Sequence, residues 1–444
     1  MRLVSIFIIL IGSFDISAQQ SWNVGLEFHW DDTTLISNFR DARYSDIWGF
    51  SIDNRKYVVM GSTYGAHFFD ITTPAQTAYI GAVPGAFQGY DVNHRDYKEY
   101  RGYIYACAQQ GAATLQIIDA NYLPDSVHLV YDSDTLFGQA HNVFVDTSNA
   151  RLYACGPNSD ALKVFSLQDP EKPILLKTYN DISYVHDIYA NGDTVYLNCG
   201  NDGFYIVDMA DTSNFQTLGS LTLYPDQGYN HNGWLTNNGG TYVFTDENYG
   251  RKVKICDVSD FGNISILSTL TSGVSDSSVA HNAFIMDNIL YLSYYNDGFQ
   301  MFDISDPVNP VKIGYYDTFL PNQKDDFRGA WGCYPFFGNG IVAISDRNSG
   351  LYILNVSAAL TSVDNNLQSQ VNANVYPNPT VGEITITGQI PLRIQLYNAS
   401  GIEVMNFENK NKLDITHLAN GIYFLRTTAG TSTFMFKIVK QSVY

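Results

Sequence analysis

One short pattern recurs four times along the chain: AHNVF at 140–144, VHDIY at 185–189, NHNGW at 230–234 and AHNAF at 280–284. A histidine leads a small polar residue or acid, and an aromatic residue ends each stretch. His141, His186, His231 and His281 are separated by 45, 45 and 50 residues. Equivalent places extend the ladder upstream to Asp46 in SDIWGF and Asp91 in YDVNHR, and downstream to Trp331 in GAWGCYPF. Self-similarity at this period constrains the fold more than any local signal, because it marks a stack of repeated supersecondary units.

A second element recurs inside each period. It reads AHFFDITTP, LQIIDANYLP, LKVFSLQDP and FYIVDMADT, then VKICDVSDF, FQMFDISDP and LYILNVSAA. Each is a short apolar run closed by Asp, Ser or Asn, the pattern of a packed strand running into a turn. Ahead of each lies another strand, such as ARLYACGPNSD or NILYLSYYNDG, ending in the Gly or Asn-Asp-Gly of a tight hairpin. No helical period intervenes.

Seven units of about four strands predict an all-β chain built on a seven-bladed β-propeller, which hides its sheet edges by radial closure. A β-helix has shorter repeats, and six or eight blades would follow if an end unit were misread. Only 27 residues run from Trp331 to Ser357, too few for a full blade, so the segments WNVGLEFHW and TTLISNF (22–39) are expected to supply the missing outer strand.

The ends differ from the body. MRLVSIFIILIGSFDISAQQ carries a basic residue, an apolar run and a small-residue cleavage point near Ala18, the form of a secretory signal peptide over 1–18. No other apolar run is long enough to span a membrane as a helix. The propeller is expected over 22–357. Residues 358–373 are polar and read as a linker. Residues 374–444 alternate as short strands with Gly and Asn turns, enough for a small Ig-like β-sandwich.

Charge narrows the partners. The chain carries a formal −19, of which 371–444 contribute +2 and 1–20 nothing, leaving −19 − 2 = −21 for 21–370. Phosphate backbones would be repelled, so nucleic acid is not expected as a partner. Cationic ligands, Ca²⁺ and neutral sugars remain compatible, as does an acidic surface that serves only solubility. The five cysteines (Cys107, Cys155, Cys199, Cys256 and Cys333) are too few and too odd in number for a fully paired framework, and small buried residues between blades explain them.

Two resemblances add to this reading. The segments VYPNPTVGEITI, IQLYNASGIEV, LDITHLANGIYFLRT and FKIVK, in that order, resemble the C-terminal sorting domain of type IX secretion substrates. That likeness implies passage across the outer membrane, type IX machinery as a partner, and a secreted or cell-surface product from which the tail is usually removed. The body, through FYIVD, LQIID, SDPVNP, HNGW, DENYG and FRGAWGCYPF, resembles the choice-of-anchor B family of surface proteins with LVIVD repeats. This second likeness implies a propeller and a surface location. It brings no catalytic residues.

The chain has none of the common hydrolase, metalloprotease, nucleotide or dinucleotide motifs. The ladder is the constellation tied to architecture. The first strand of each propeller blade lines the central channel, so the repeated position should form a ring of Asp46, Asp91, His141, His186, His231, His281 and Trp331. Such a ring suits a ligand site. His186, His231 and His281, with Asp46 or Asp91, could hold a divalent metal ion as cofactor. The structural alternative is a hydrogen-bonded polar belt. Repetition accounts for the recurrence but not for the choice of histidine. Because no complete acid–base or nucleophile set appears, the sequence favours a non-catalytic binding module for an extracellular carbohydrate or protein. A metal-dependent enzyme at the channel mouth and a purely structural adhesion or scaffold protein are the alternatives.

Overall fold

Why the chain closes on itself follows from the strand ladders. In the computed structural model, which describes residues 21–319, 327–370, 374–387, 393–399, 401–429 and 432–441, seven antiparallel sheets follow one another before residue 357. Their innermost strands are Tyr44–Ile52, Arg95–Tyr100, Asn142–Asp146, Asp187–Asn191, Asn230–Leu235, Ala283–Met286 and Ala330–Tyr334. Blades one to six each add three further strands by short hairpin steps. Blade seven builds only three strands from its own repeat; its outer strand is Gly25–Trp30, which pairs antiparallel with Gly350–Asn355. The chain just before it, Ser21–Trp22, pairs with the outer strand of blade six at Tyr315 and Tyr316. The closure expected from the short last unit is thus present, with the strand placed at the front of the 22–39 segment. The expected signal peptide of 1–18 falls outside the described residues.

The two faces of each blade are apolar because each packs against a neighbour. Between blades three and four, Tyr153, Val164, Leu197 and Val207 share one cluster. Between blades one and seven, Val58, Phe69, Ala343 and Ile353 share another. Strands buried on both faces lose strict alternation and read as continuous apolar runs. That is why the second recurring element was so legible. The five cysteines are buried and unpaired within these packed layers.

Residues 358–373, read from composition as a linker, begin instead in an α-helix, Ser357–Gln370. The Asn355 side chain accepts a hydrogen bond from Ser357 N (3.0 Å), and the first turn buries Ala359. The sequence SAALTSVDNNLQSQ has no Gly or Pro to oppose a helix and no apolar stripe to announce one. Among the described residues no helix is long and apolar enough to cross a membrane.

The chain divides into two compact units, Met1–Leu360 and Thr361–Tyr444. The second holds two sheets. One is formed by Asn374–Tyr376, Glu383–Thr387 and Lys412–Asp414; the other orders Glu403–Glu408, Arg393–Asn398, Gly421–Ala429 and Ser432–Lys440. Ile384, Ile386, Leu396, Leu413 and Leu425 from both sheets share one core, the two-layer packing expected of a β-sandwich.

Candidate functional site

The recurring triplet His, polar, aromatic is three levels of one channel. Side chains two residues apart on a strand point to the same face, so alternate residues of the seven inner strands descend the channel wall. Asn142, Phe144 and Asp146 descend in blade three, and Asp187, Tyr189 and Asn191 in blade four. The histidine, one residue ahead of the polar position, stands at the upper mouth.

Six aromatic rings close a circle at that mouth. Their centroids follow at 4.3 Å from His94 to His141, 3.9 Å to His186, 4.2 Å to His231, 4.4 Å to His281 and 4.2 Å to Trp331. Trp331 returns to His94 at 5.3 Å. Each of the last three histidines donates Nδ1–H to the next blade: His186 to His231 O (2.9 Å), His231 to His281 O (3.0 Å) and His281 to Trp331 O (2.6 Å). His94 uses Nε2 on His141 O (2.5 Å).

Two expected members are elsewhere. Asp91 is exposed on the loop before blade two, and His94 takes its place. Spacing could not separate them, since both fit the ladder. Asp46 is buried one level lower, because a bulge between Tyr44 and Ile47 shifts the inner strand of blade one. Blade one therefore adds no ring to the circle.

The middle level is polar and tightly bonded. Lys98 Nζ donates to Asp96 Oδ1 at 2.7 Å and stands 3.9 Å from Asp46 Oδ2. Val143 N donates to Asp96 Oδ2 (2.7 Å), Asn232 Nδ2 to Asp187 Oδ2 (2.6 Å) and Ala283 N to Asn232 Oδ1 (2.7 Å). Burial raises the carboxyl of Asp187 to about 6, against the pull of Lys98. Burial and the neighbouring Asp96 push Asp46 well above the usual carboxylate range. Asp96 resists the same burial and stays low because Lys98 holds its charge. Gly332 belongs to this level because a side chain there would meet Asp46: a Cβ would lie 2.4 Å from its Oδ1. The cavity here is about 20 Å³, room for a single water.

The lower level is aromatic. Trp48, Phe144, Tyr189, Trp234, Phe284 and Tyr334 come from six blades, and Lys98 fills the seventh place with Nζ 4.5 Å from the Trp48 ring centre. Rings of neighbouring blades pack on one another, Tyr189 tilted against Trp234 at 4.5 Å and Trp48 edge to face with Tyr334 at 5.0 Å. The channel is plugged, and its two mouths open into separate cavities of about 420 Å³ above and 560 Å³ below.

At the upper mouth, donor atoms converge. His231, Glu247 and His281 bring one ligand atom each within 4.8 Å of one another; so do His141, His186 and His231. The expected trio of His186, His231 and His281 does not assemble: His186 and His281 fall in different groups and share only His231. Glu247 Oε2 lies 3.6 Å from His231 Nε2, and Oε1 lies 3.9 Å from His281 Nε2. Tyr295 Oη donates to Glu247 Oε1 at 2.5 Å. Tyr295 holds φ of 33°, a left-handed conformation costly for a tyrosine, fixed by Gly298 N and Ala330 N on its carbonyl.

The electrostatics of this group favour a cation. Nδ1–H is committed to backbone carbonyls in both His231 and His281, so each presents a bare Nε2 lone pair to the carboxylate. Burial lowers His231 to about 3 and His281 well below the usual imidazole range, so neither carries a second proton, on Nε2, at neutral pH. Burial also raises Glu247. Three acceptors facing one another repel unless a proton or a metal ion sits between them. Imidazoles whose other nitrogen bonds a backbone carbonyl are the usual form of metal-ligating histidine. Tetrahedral ligands at ~2.0–2.1 Å from an ion lie about 3.4 Å apart, close to the spacings here.

Sequence reasoning missed Glu247, Tyr295 and His94. His94 was visible in YDVNHR. Glu247 follows the second strand of blade five and Tyr295 follows the second strand of blade six, at turns whose place over the mouth depends on closure of the ring.

Fold and channel define a β-propeller with a bonded polar core and two independent mouths. Residues 374–441 match the family profile of the secretion system C-terminal sorting domain. That domain marks the protein for type IX export across the outer membrane, to the cell surface or the extracellular space. Among curated protein sequences none matches the chain. A crystal structure of a protein from Lactobacillus plantarum is similar at a TM-score of 0.51 and 12 % identity, over 83 % of this chain and 96 % of that one. At that identity the likeness speaks for the fold alone.

Proposed function

We propose that this exported propeller is an extracellular binding module whose centre is a divalent metal ion held by His231, His281 and Glu247. The observation that carries the reading is the meeting of two carbonyl-anchored imidazoles and a carboxylate, lone pair to lone pair, at the floor of a 420 Å³ cavity. Two histidines and one carboxylate suit zinc with one open position, or iron(II) with several. When bound, the ion supplies a Lewis acid that coordinates an oxygen or nitrogen of the ligand. Tyr295 holds the carboxylate in place through its hydroxyl. His141 and His186 wall the cavity beside the ion. The polar belt of Nδ1 bonds and the metal site are then one device, since the belt fixes which nitrogen faces the channel.

The likeness to choice-of-anchor B surface proteins supports a role outside the cell. In this reading the mature form lacks residues 1–18 and the sorting domain from 374 onward, with 358–373 as the region of cleavage.

The test is elemental analysis of protein reconstituted with zinc and passed through a desalting column. About one equivalent should remain on the wild type, and His231→Ala and Glu247→Gln should each fall to a small fraction of it. Wild-type protein that keeps no metal, or variants that keep as much as wild type, would overturn the assignment.

A further inference from the structure

We propose that the lower, aromatic mouth is a second binding site and that it takes a neutral carbohydrate. The site does not depend on the metal reading, because the polar middle level closes it off from the histidines.

The cavity there measures about 560 Å³ and is formed by inner strands of six blades. Trp48, Tyr189, Trp234 and Tyr334 line it as half-buried rings, so a plug alone does not use all their surface. Glu99 and Asp146 line the same cavity. Asp146 is 5 % exposed, and its Oδ1 is satisfied by Ser148 N (2.9 Å), by the Ser148 hydroxyl (2.5 Å) and by Asn149 N (3.3 Å). Its Oδ2 is buried with no hydrogen-bond partner. A buried carboxylate oxygen without a donor is costly, and a ligand that brings a donor recovers that cost.

The chemistry of the cup selects among ligands. Aromatic faces accept apolar C–H surfaces, and carboxylate oxygens accept O–H donors; a sugar ring carries both. An anion would meet Glu99 and Asp146. A cation would find the Trp48 face already taken by the one lysine of the cup. Lys98 is itself paired with Asp96, so it offers no free charge to an anion either. A neutral, hydroxyl-rich ring satisfies every group present. The strong acidity of residues 21–370 also opposes an anion, and a neutral ligand is indifferent to it.

The experiment uses the tryptophans of the cup, Trp48 and Trp234, as reporters. Full-length protein is titrated with neutral hexasaccharides built on glucose, xylose, mannose and N-acetylglucosamine, followed by tryptophan fluorescence and calorimetry, with choline chloride as the cationic arm. At least one saccharide should bind with millimolar or tighter affinity. Asp146→Asn, which keeps Oδ1 and its turn, and Tyr189→Ala should each weaken it about tenfold, with folding checked by circular dichroism and zinc content unchanged. No binding by any of the saccharides overturns the proposal. So does saccharide binding untouched by both substitutions, or binding of choline alone. Zinc content measured on the same samples separates failure of this site from failure of the metal centre.

Discussion

A single position, histidine in blades two to six and Trp331 in blade seven, sets what the upper mouth can do. Where it is His186, His231 or His281, Nδ1 reaches the next blade's carbonyl and Nε2 is left for the channel. One residue on, the polar position of the middle level carries the pH dependence. The folded carboxyl of Asp187 is raised to about 6, while an unfolded aspartate titrates near 3.9. The folded state therefore binds this proton first. The favourable contribution is complete below about pH 4 and is lost as pH rises through 6. Asp187→Asn has no such titration. In urea unfolding, the variant should gain on the wild type by roughly 2–3 kcal/mol between pH 4 and pH 8. A difference that stays flat across that range contradicts the account. Gly332 offers a steric test at the same level. In Gly332→Ala the added Cβ must displace the Asp46 carboxylate, which lies in a bonded layer, and melting should reveal a loss of roughly 1–3 kcal/mol.

Among elements, the strand that closes the ring matters most. Gly25–Trp30 is the outer strand of blade seven although it stands at the start of the propeller. Trp30 packs on Phe69 at 5.0 Å and on Tyr79 at 5.5 Å, tying the end of the circle to blade one. The ring is half-buried, so Trp30→Ala should cost roughly 2 kcal/mol, about half of what a fully buried tryptophan costs, in denaturant unfolding. A variant as stable as wild type would mean that closure does not depend on this contact. The strands themselves were legible in the sequence, because runs such as FYIVD and FQMFD are apolar on both faces and end in turn formers. The blade count was legible from the 45–50-residue period. The helix Ser357–Gln370 was not, since its polar sequence lacks an apolar stripe. At the site, the four ladder histidines were legible by repetition. His94 was masked by Asp91 three residues before it. Glu247 and Tyr295 follow the second strands of consecutive blades, but their residue types do not repeat there, and only ring closure brings them over the mouth.

For the molecule as a whole, export and the proposed binding belong to separate units. The sorting domain of 374–441 directs the chain across the outer membrane, and the propeller presents two mouths once it is there. Intact-mass analysis of protein from a type IX-secreting host should show loss of about the first 18 residues and of a C-terminal piece beginning within 358–373. A full-length product in the medium would contradict that processing. The central claim rests on the meeting of His231, His281 and Glu247, and it is tested most directly by a crystal grown with zinc and measured at the zinc absorption edge. The account predicts one anomalous peak ~2.0–2.1 Å from Nε2 of His231, Nε2 of His281 and an oxygen of Glu247. The upper mouth without an anomalous peak, and with His231 and Glu247 joined by a proton or a water, would contradict it.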